Sequence, residues 1–149
     1  MNMLHLRPIT KDNWVNAIFL KVRDDQKNFV ADNAVSLAQL NFLENFYAKG
    51  IYLDDVMIGF ALYGIDEDDQ QYWIYRMMID EKYQGKGYGK QAIQLIIDDI
   101  KSMKEDHHTT ISLSYEPENK LAKYLYNKMG FKDVEGLIIQ GEQVARYTF

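Results

Sequence analysis

The apolar run Ile74–Ile79, broken only by Tyr75 and Arg76, leads toward Gln84-Gly85-Lys86-Gly87-Tyr88-Gly89, and a helical pattern opens directly behind the glycines. A strand, a glycine-rich turn and a helix N-terminus in that order make a place to hold phosphate. Small residues let an anion approach the backbone, and the first helical N–H groups have no intrahelical acceptor. An ordinary strand–turn–helix junction has the same outline, so the look-alikes matter. Glycines at 85, 87 and 89 lack the G-x-G-x-x-G spacing of a dinucleotide fingerprint. Gly89-Lys90 is followed by Gln91, where a Walker A loop needs Ser or Thr to meet magnesium. The anion is therefore expected to belong to something other than NAD or ATP.

The 149 residues suit one domain, 1–149, with a real core. With 47% apolar and 13% aromatic residues the chain is not of the disordered class. No run approaches the roughly 18 apolar residues of a membrane-spanning helix, and Met1–Thr10 carries no signal-peptide pattern. No cysteine is present, which excludes disulfides, thiolate zinc sites and a cysteine nucleophile, and leads us to expect a cytoplasmic setting. The net charge of −5 lies entirely in residues 1–70, whereas Lys82, Lys86 and Lys90 ring the glycine turn. Such a division suits a cationic partner beside an anionic cofactor, and argues against nucleic acid and membrane partners.

Along the chain, Leu4–Arg7 reads as a strand, and Thr10 can cap a helix from Lys11 with Trp14 and Ile18 on its apolar side. Ser36 and Gln39 suggest a capping box for a second helix that buries Leu40, Leu43 and Tyr47 and ends at Gly50. A hairpin is expected over Ile51–Tyr63 with Asp54-Asp55 at its turn, followed by an acidic loop, Asp66–Asp69, and a central strand, Gln71–Ile79. Ala92, Ile93, Ile96, Ile97, Ile100 and Met103 recur at helical spacing. Ile111–Tyr115 follows as a strand, and a right-handed crossover would set it parallel to the central one. A helix is expected to start at Pro117, bury Leu121, Ala122, Leu125 and Met129, and end at Gly130. Strands near Gly136–Gln140 and Val144–Phe149 close the chain. The fold class is α/β, a mixed twisted sheet flanked by helices, with two helices between the first and second strands.

Gln84-Gly85-Lys86-Gly87-Tyr88-Gly89 resembles the Q/R-x-x-G-x-G/A motif of the GNAT superfamily of acyl-CoA-dependent N-acetyltransferases. Asn119, Ala122, Tyr126, Gly130 and Phe131 match that family's N-x-x-A-x-x-x-Y-x-x-x-G-F pattern. Within the family, Arg76–Asp80 with Tyr83–Gly89, and Phe29–Asn33 with Ser36-Leu37, are most similar to bacterial spermine/spermidine acetyltransferases. The resemblance implies acetyl-CoA as acetyl donor, its pyrophosphate on main-chain N–H groups of Gln84, Gly85, Lys86, Gly87, Tyr88, Gly89 and Lys90. It implies that Met77, Met78 and Ile79 line the pantetheine arm, that Asn119 touches the cofactor, and that Tyr126 lies near its sulfur. Homodimers are common among such relatives. Many of them carry a glutamate on the central strand, whereas this strand has no carboxylate between Tyr72 and Ile79.

Acetyl transfer to an amine needs a neutral nucleophile, a polarised thioester carbonyl and a proton for the departing thiolate. A tyrosine, with an ordinary pKa near 10, can supply that proton, which makes Tyr126 the candidate general acid and a satisfied buried tyrosine the alternative. A main-chain N–H near Met78 could polarise the carbonyl. A polycationic acceptor calls for spaced carboxylates, and Asp24, Asp25, Asp32 and Glu44 fall in the expected substrate-side helices. Phe42, Phe46 and Tyr47 could face its methylene segments or simply pack in the core. Arg76, interrupting an apolar strand, must pair with an acid, reach the surface or meet a ligand, with a structural ion pair the preferred reading, and His107-His108 suggest no metal centre. The reading is acetylation of a polyamine amine by direct attack. A protein N-terminus, amino acid or aminoglycoside acceptor is an alternative, and so is a non-catalytic CoA-binding regulator.

Overall fold

The computed structural model describes residues 3–27 and 32–149. Seven strands form one sheet in the order β1-β2-β3-β4-β5-β7-β6. These are β1 (Leu4–Pro8), β2 (Phe46–Leu53), β3 (Val56–Ile65), β4 (Tyr72–Ile79), β5 (Thr110–Tyr115), β6 (Lys132–Ile139) and β7 (Glu142–Thr148). Helices α1 (Trp14–Phe19) and α2 (Asn33–Leu40) stand between β1 and β2, α3 (Tyr88–Met103) between β4 and β5, and α4 (Lys120–Lys128) between β5 and β6. The mixed, helix-flanked sheet is the expected one. Every neighbouring pair is antiparallel except β4 and β5, which run parallel as the crossover requires.

Buried apolar clusters lie on both faces of the sheet. On one, Ile93, Ile96, Ile97 and Ile100 of α3 pack on Ala61, Tyr63, Ile74, Ile111 and Leu113, all essentially buried. On the other, Phe60, Leu62 and Met78 meet Ala17 of α1 and the partly buried Leu37 and Leu40 of α2.

Several expected boundaries change. The second helix does not reach Gly50: α2 stops at Leu40, a left-handed Asn45 (φ 57°) turns the chain, and Phe46–Leu53 pairs as a strand with both β1 and β3. Pairing on two sides outweighs the helical spacing of Leu40, Leu43 and Tyr47. Ser36 and Gln39 lie inside α2 rather than at its start, where Asp32 is the cap residue. The first helix begins at Trp14 instead of Lys11, because Lys11–Asn13 form a turn in which Asp12 N–H donates to Thr10 Oγ1 (3.2 Å). Trp14 is 46% exposed and is not on the buried side. Pro117 precedes α4 in a turn, and Asn119 caps the helix by accepting from Ala122 N–H (3.2 Å). Gly130 does end α4. Its N–H donates to the Asn127 carbonyl and that of Phe131 to the Tyr126 carbonyl, the bond pair of a Schellman stop at φ 99°.

Two irregularities of β4 matter for function. Leu62 pairs with Arg76 but Tyr63 with Ile74, so Tyr75 is an extra residue, a β-bulge. β4 also pairs with β5 only at Tyr72–Ile111 and Trp73–Ser112. Beyond Trp73 the two parallel strands part.

Candidate active site

The parting strands open a cleft of about 240 Å³. Met77, Met78 and Ile79 of β4 form one wall, and Asn119, Leu121, Ala122, Leu125 and Tyr126 of α4 the other. Gln84, Gly85, Gly87, Tyr88 and Gly89 close one end, with Val22 and Gln26 from the α1–α2 connection. Ten of the residues singled out from the sequence thus share one cavity. Lys86 and Lys90 flank it without lining it. Leu121, read as buried, is 62% exposed. It belongs to the cleft wall alone, whereas Ala122 and Leu125 line the cleft and also pack against the α3 core, since a periodic apolar stripe can serve either role.

Gly87, at φ 83°, is the N-cap of α3, and Gly85 is at φ 76°. A side chain at either would be strained, and a Cβ there would meet nothing within 4 Å. Space therefore lies open in front of the turn. No described residue accepts from the main-chain N–H of Gly85, Lys86, Gly87, Gly89 or Lys90. Free donors, a helix N-terminus and nearby lysines fit a pyrophosphate. Gln84 steadies the turn, its side chain donating to the Ile79 carbonyl and to Gln26 Oε1, both at 2.9 Å. The Asn119 side-chain oxygen is used as the helix cap, which leaves its amide N–H₂ for a ligand.

The tyrosines separate into two kinds. Tyr63 donates to Asp99 (2.5 Å), Tyr75 to Asp66 (2.5 Å) and Tyr115 to both Asp133 oxygens (2.8 and 2.9 Å). Burial first, then the carboxylate partner, raises the pKa of each. The hydroxyl of Tyr126 has no hydrogen-bond partner among the described residues, although its ring is held by Tyr115 and Phe131 (centroids 6.2 and 6.1 Å). Burial, and after it the negative charge of Glu142, pushes its pKa up to about 12. At neutral pH it keeps its proton and directs it at no protein group.

The predicted acceptor residues are scattered. Asp24 pairs with Lys27 (3.0 Å) and Asp25 with Arg23 (3.3 Å) on the surface. Asp32 lines a second cavity beside the cleft, with Lys21, Lys27, Asn33 and Met78. Glu44 lines a third with Asp66, Glu67 and Asp68 and with Phe42, Phe46 and Tyr75. Tyr47 stands outside it. Phe29, Val30 and Ala31 lie outside the described residues. Arg76 corrects an expectation: no acid pairs with it among the described residues, its Nη1 donates to the Tyr75 carbonyl (2.8 Å), and its buried Nε has no partner. The bulge explains this, since it turns Arg76 to the sheet face of Leu62, away from the acids of α3. His108 is buried against Tyr72, with Nδ1 accepting from Glu105 N–H (3.0 Å), a structural role.

Residues 12–131 match the acetyltransferase (GNAT) family model. The chain belongs to the GNAT acetyltransferase family. It is 30% identical over 147 residues to the spermine/spermidine N(1)-acetyltransferase of Bacillus subtilis, covering 95% of each chain. The fold is also that of the PaiA N-acetyltransferase of Thermoplasma acidophilum, solved with coenzyme A (TM-score 0.71, 15% identity, 99% of each chain). It is shared as well by the ribosomal-protein-S18-alanine N-acetyltransferase of Escherichia coli (TM-score 0.72, 16% identity, 98% of this chain and 94% of that one). Acetyl-CoA-dependent acetyl transfer is thus the activity of the family to which the chain belongs.

Proposed function

We propose that this GNAT acetyltransferase moves the acetyl group of acetyl-CoA to a primary amine of a polyamine such as spermidine or spermine. The carrying observation is the end-to-end similarity to the Bacillus subtilis enzyme. The cavity of Glu44, Asp66, Glu67 and Asp68, walled by Phe42, Phe46 and Tyr75, supports it. Spaced carboxylates and aromatic faces suit the charged ends and methylene segments of a long polycation.

Bound acetyl-CoA would supply an activated acyl group, and the protein would position it. The amides of Gly85, Lys86, Gly87, Gly89 and Lys90 would hold the pyrophosphate, Asn119 would add its amide, and Met77, Met78 and Ile79 would lie along the pantetheine arm. The unpaired edge of β4 beyond Trp73 offers main-chain groups to that arm, and an N–H near Met78 polarises the carbonyl. Tyr126 faces the sulfur. With a pKa raised to about 12 it does not release its proton ahead of need. It donates a hydrogen bond that becomes a proton transfer only as the C–S bond breaks. A thiol-release assay with acetyl-CoA and spermine, spermidine, short diamines and peptide N-termini tests the proposal. Turnover is expected highest with spermine or spermidine; preference for a peptide or a monoamine would refute the polyamine assignment.

A further inference from the structure

The central strand lacks a carboxylate, so the reaction needs another group to take the proton of the incoming ammonium. One half-buried carboxylate stands at the place where β5 has left β4. Gln140 and Gly141, at φ 50° and 82°, make a two-residue hairpin turn of the type that matches strand twist, and Glu142 is the first residue after it. Its Oε1 accepts from the Ser114 hydroxyl at 2.8 Å. Ser114 lies on β5 past the last pair with β4, opposite Val144 of β7, so Glu142 is its diagonal neighbour on the same sheet face. Leu113 and Ala145, on the alternate face, belong to the α3 core. Glu142 therefore stands on the face of α1 and α2, and Tyr126 reaches the parting strands from the face of α3 and α4. A thioester between the strands would have the phenol on one side and the carboxylate on the other.

We infer that Glu142, tethered by Ser114, receives the acceptor's ammonium and takes the first proton from it. This rests on the acetyl-transfer reading but not on the polyamine one. The neutral amine then forms the C–N bond as the C–S bond breaks. Tyr126 protonates the departing sulfur and is reprotonated from the nitrogen that has become the amide. Glu142 returns its proton to solvent, so one amine proton ends on the thiol and one in water. That Tyr126 registers the charge of Glu142 agrees with this placement. The other charged or titratable groups on the elements around Glu142 are Tyr72, Tyr75 and Arg76 of β4, Tyr115 of β5, Lys132, Asp133 and Glu135 of β6, Arg146 and Tyr147 of β7, and Lys120, Lys123, Tyr124, Tyr126 and Lys128 of α4. Tyr115 and Lys123 are engaged with Asp133, and Arg146 donates to Ser112 (3.1 Å).

The test uses the full chain and the best acceptor found in a panel of spermidine, an alanine peptide, an aminoglycoside and a monoamine. Glu142→Gln should lower kcat/KM for that amine about 100-fold near pH 7. The affinity for acetyl-CoA should stay unchanged, and the deficit should shrink as pH rises toward the amine's own pKa. Ser114→Ala should give a smaller loss with the same pH trend. A variant rate equal to the parent, or a deficit constant across pH, overturns the assignment of Glu142. A best acceptor other than spermidine overturns only the polyamine reading, and no acetylation of any amine overturns both.

Discussion

The side proposed to hold the acetyl donor and the side proposed to take the acceptor are built to different standards. On the donor side α3 runs for 16 residues, with five apolar side chains, Ala92, Ile93, Ile96, Ile97 and Ile100, almost wholly buried, and a Schellman turn closes α4. On the acceptor side α1 and α2 have six and eight residues, no side-chain caps, and Trp14, Val15, Phe19 and Val35 exposed. Little apolar area is buried there, so local opening should cost less. A common donor asks for a fixed cradle, whereas acceptors differ in shape. On the proposed function, the contrast matches what each side would hold.

The comparison can be broken most directly in the donor core. Ile96→Ala removes a side chain with no exposure, and should cost about 2–5 kcal/mol in denaturant unfolding. Val35→Ser on α2 should stay within about 0.5 kcal/mol. Similar losses at the two sites would erase the distinction. Next in size, Tyr126→Phe should cut kcat about 100-fold or more while acetyl-CoA affinity is kept. Tyr115→Phe, whose hydroxyl is already committed to Asp133, should act on stability first; equal kinetic effects would remove the special standing of Tyr126. Smaller still, Asp24→Ala and Asp25→Ala should leave the amine KM unchanged, because their partners are surface cations; a raised KM would return them to the acceptor site.

A further expectation concerns alkaline pH. Tyr63, Tyr75 and Tyr115 have folded pKa values above the ordinary value of about 10. The folded state holds those protons more tightly, so their stabilising contribution is complete below about pH 10 and is lost as pH rises above it. Denaturant midpoints at pH 8 and pH 11 should differ in that direction, and part of the phenolate absorbance should appear only with unfolding.

The same division decides how much was legible in the sequence. Gln84, Gly85, Gly87, Gly89, Asn119 and Tyr126, which line one cleft, stand out in the sequence because glycine conformations, a helix cap and a helix stop are local demands that few residues meet. The segment Leu40–Gly50 was misread because its helical spacing is a weak local preference, overruled by the pairing of β2 with two strands. Glu142 has no local mark in the sequence either. Its position depends on β7 inserting between β5 and β6, a register no short stretch of sequence contains. Arg76 lost its expected ion pair to a bulge that equally has no local mark.

The proposed function requires that main-chain amides at the start of α3 grip the diphosphate of the acetyl donor in the cleft between β4 and α4. An amide-resolved NMR titration with coenzyme A tests it most directly. The largest shifts are expected at Gly85–Lys90 and at Asn119, with β1 and α2 nearly silent. Saturable binding that leaves Gly85, Gly87 and Gly89 unmoved and perturbs another surface would contradict the account.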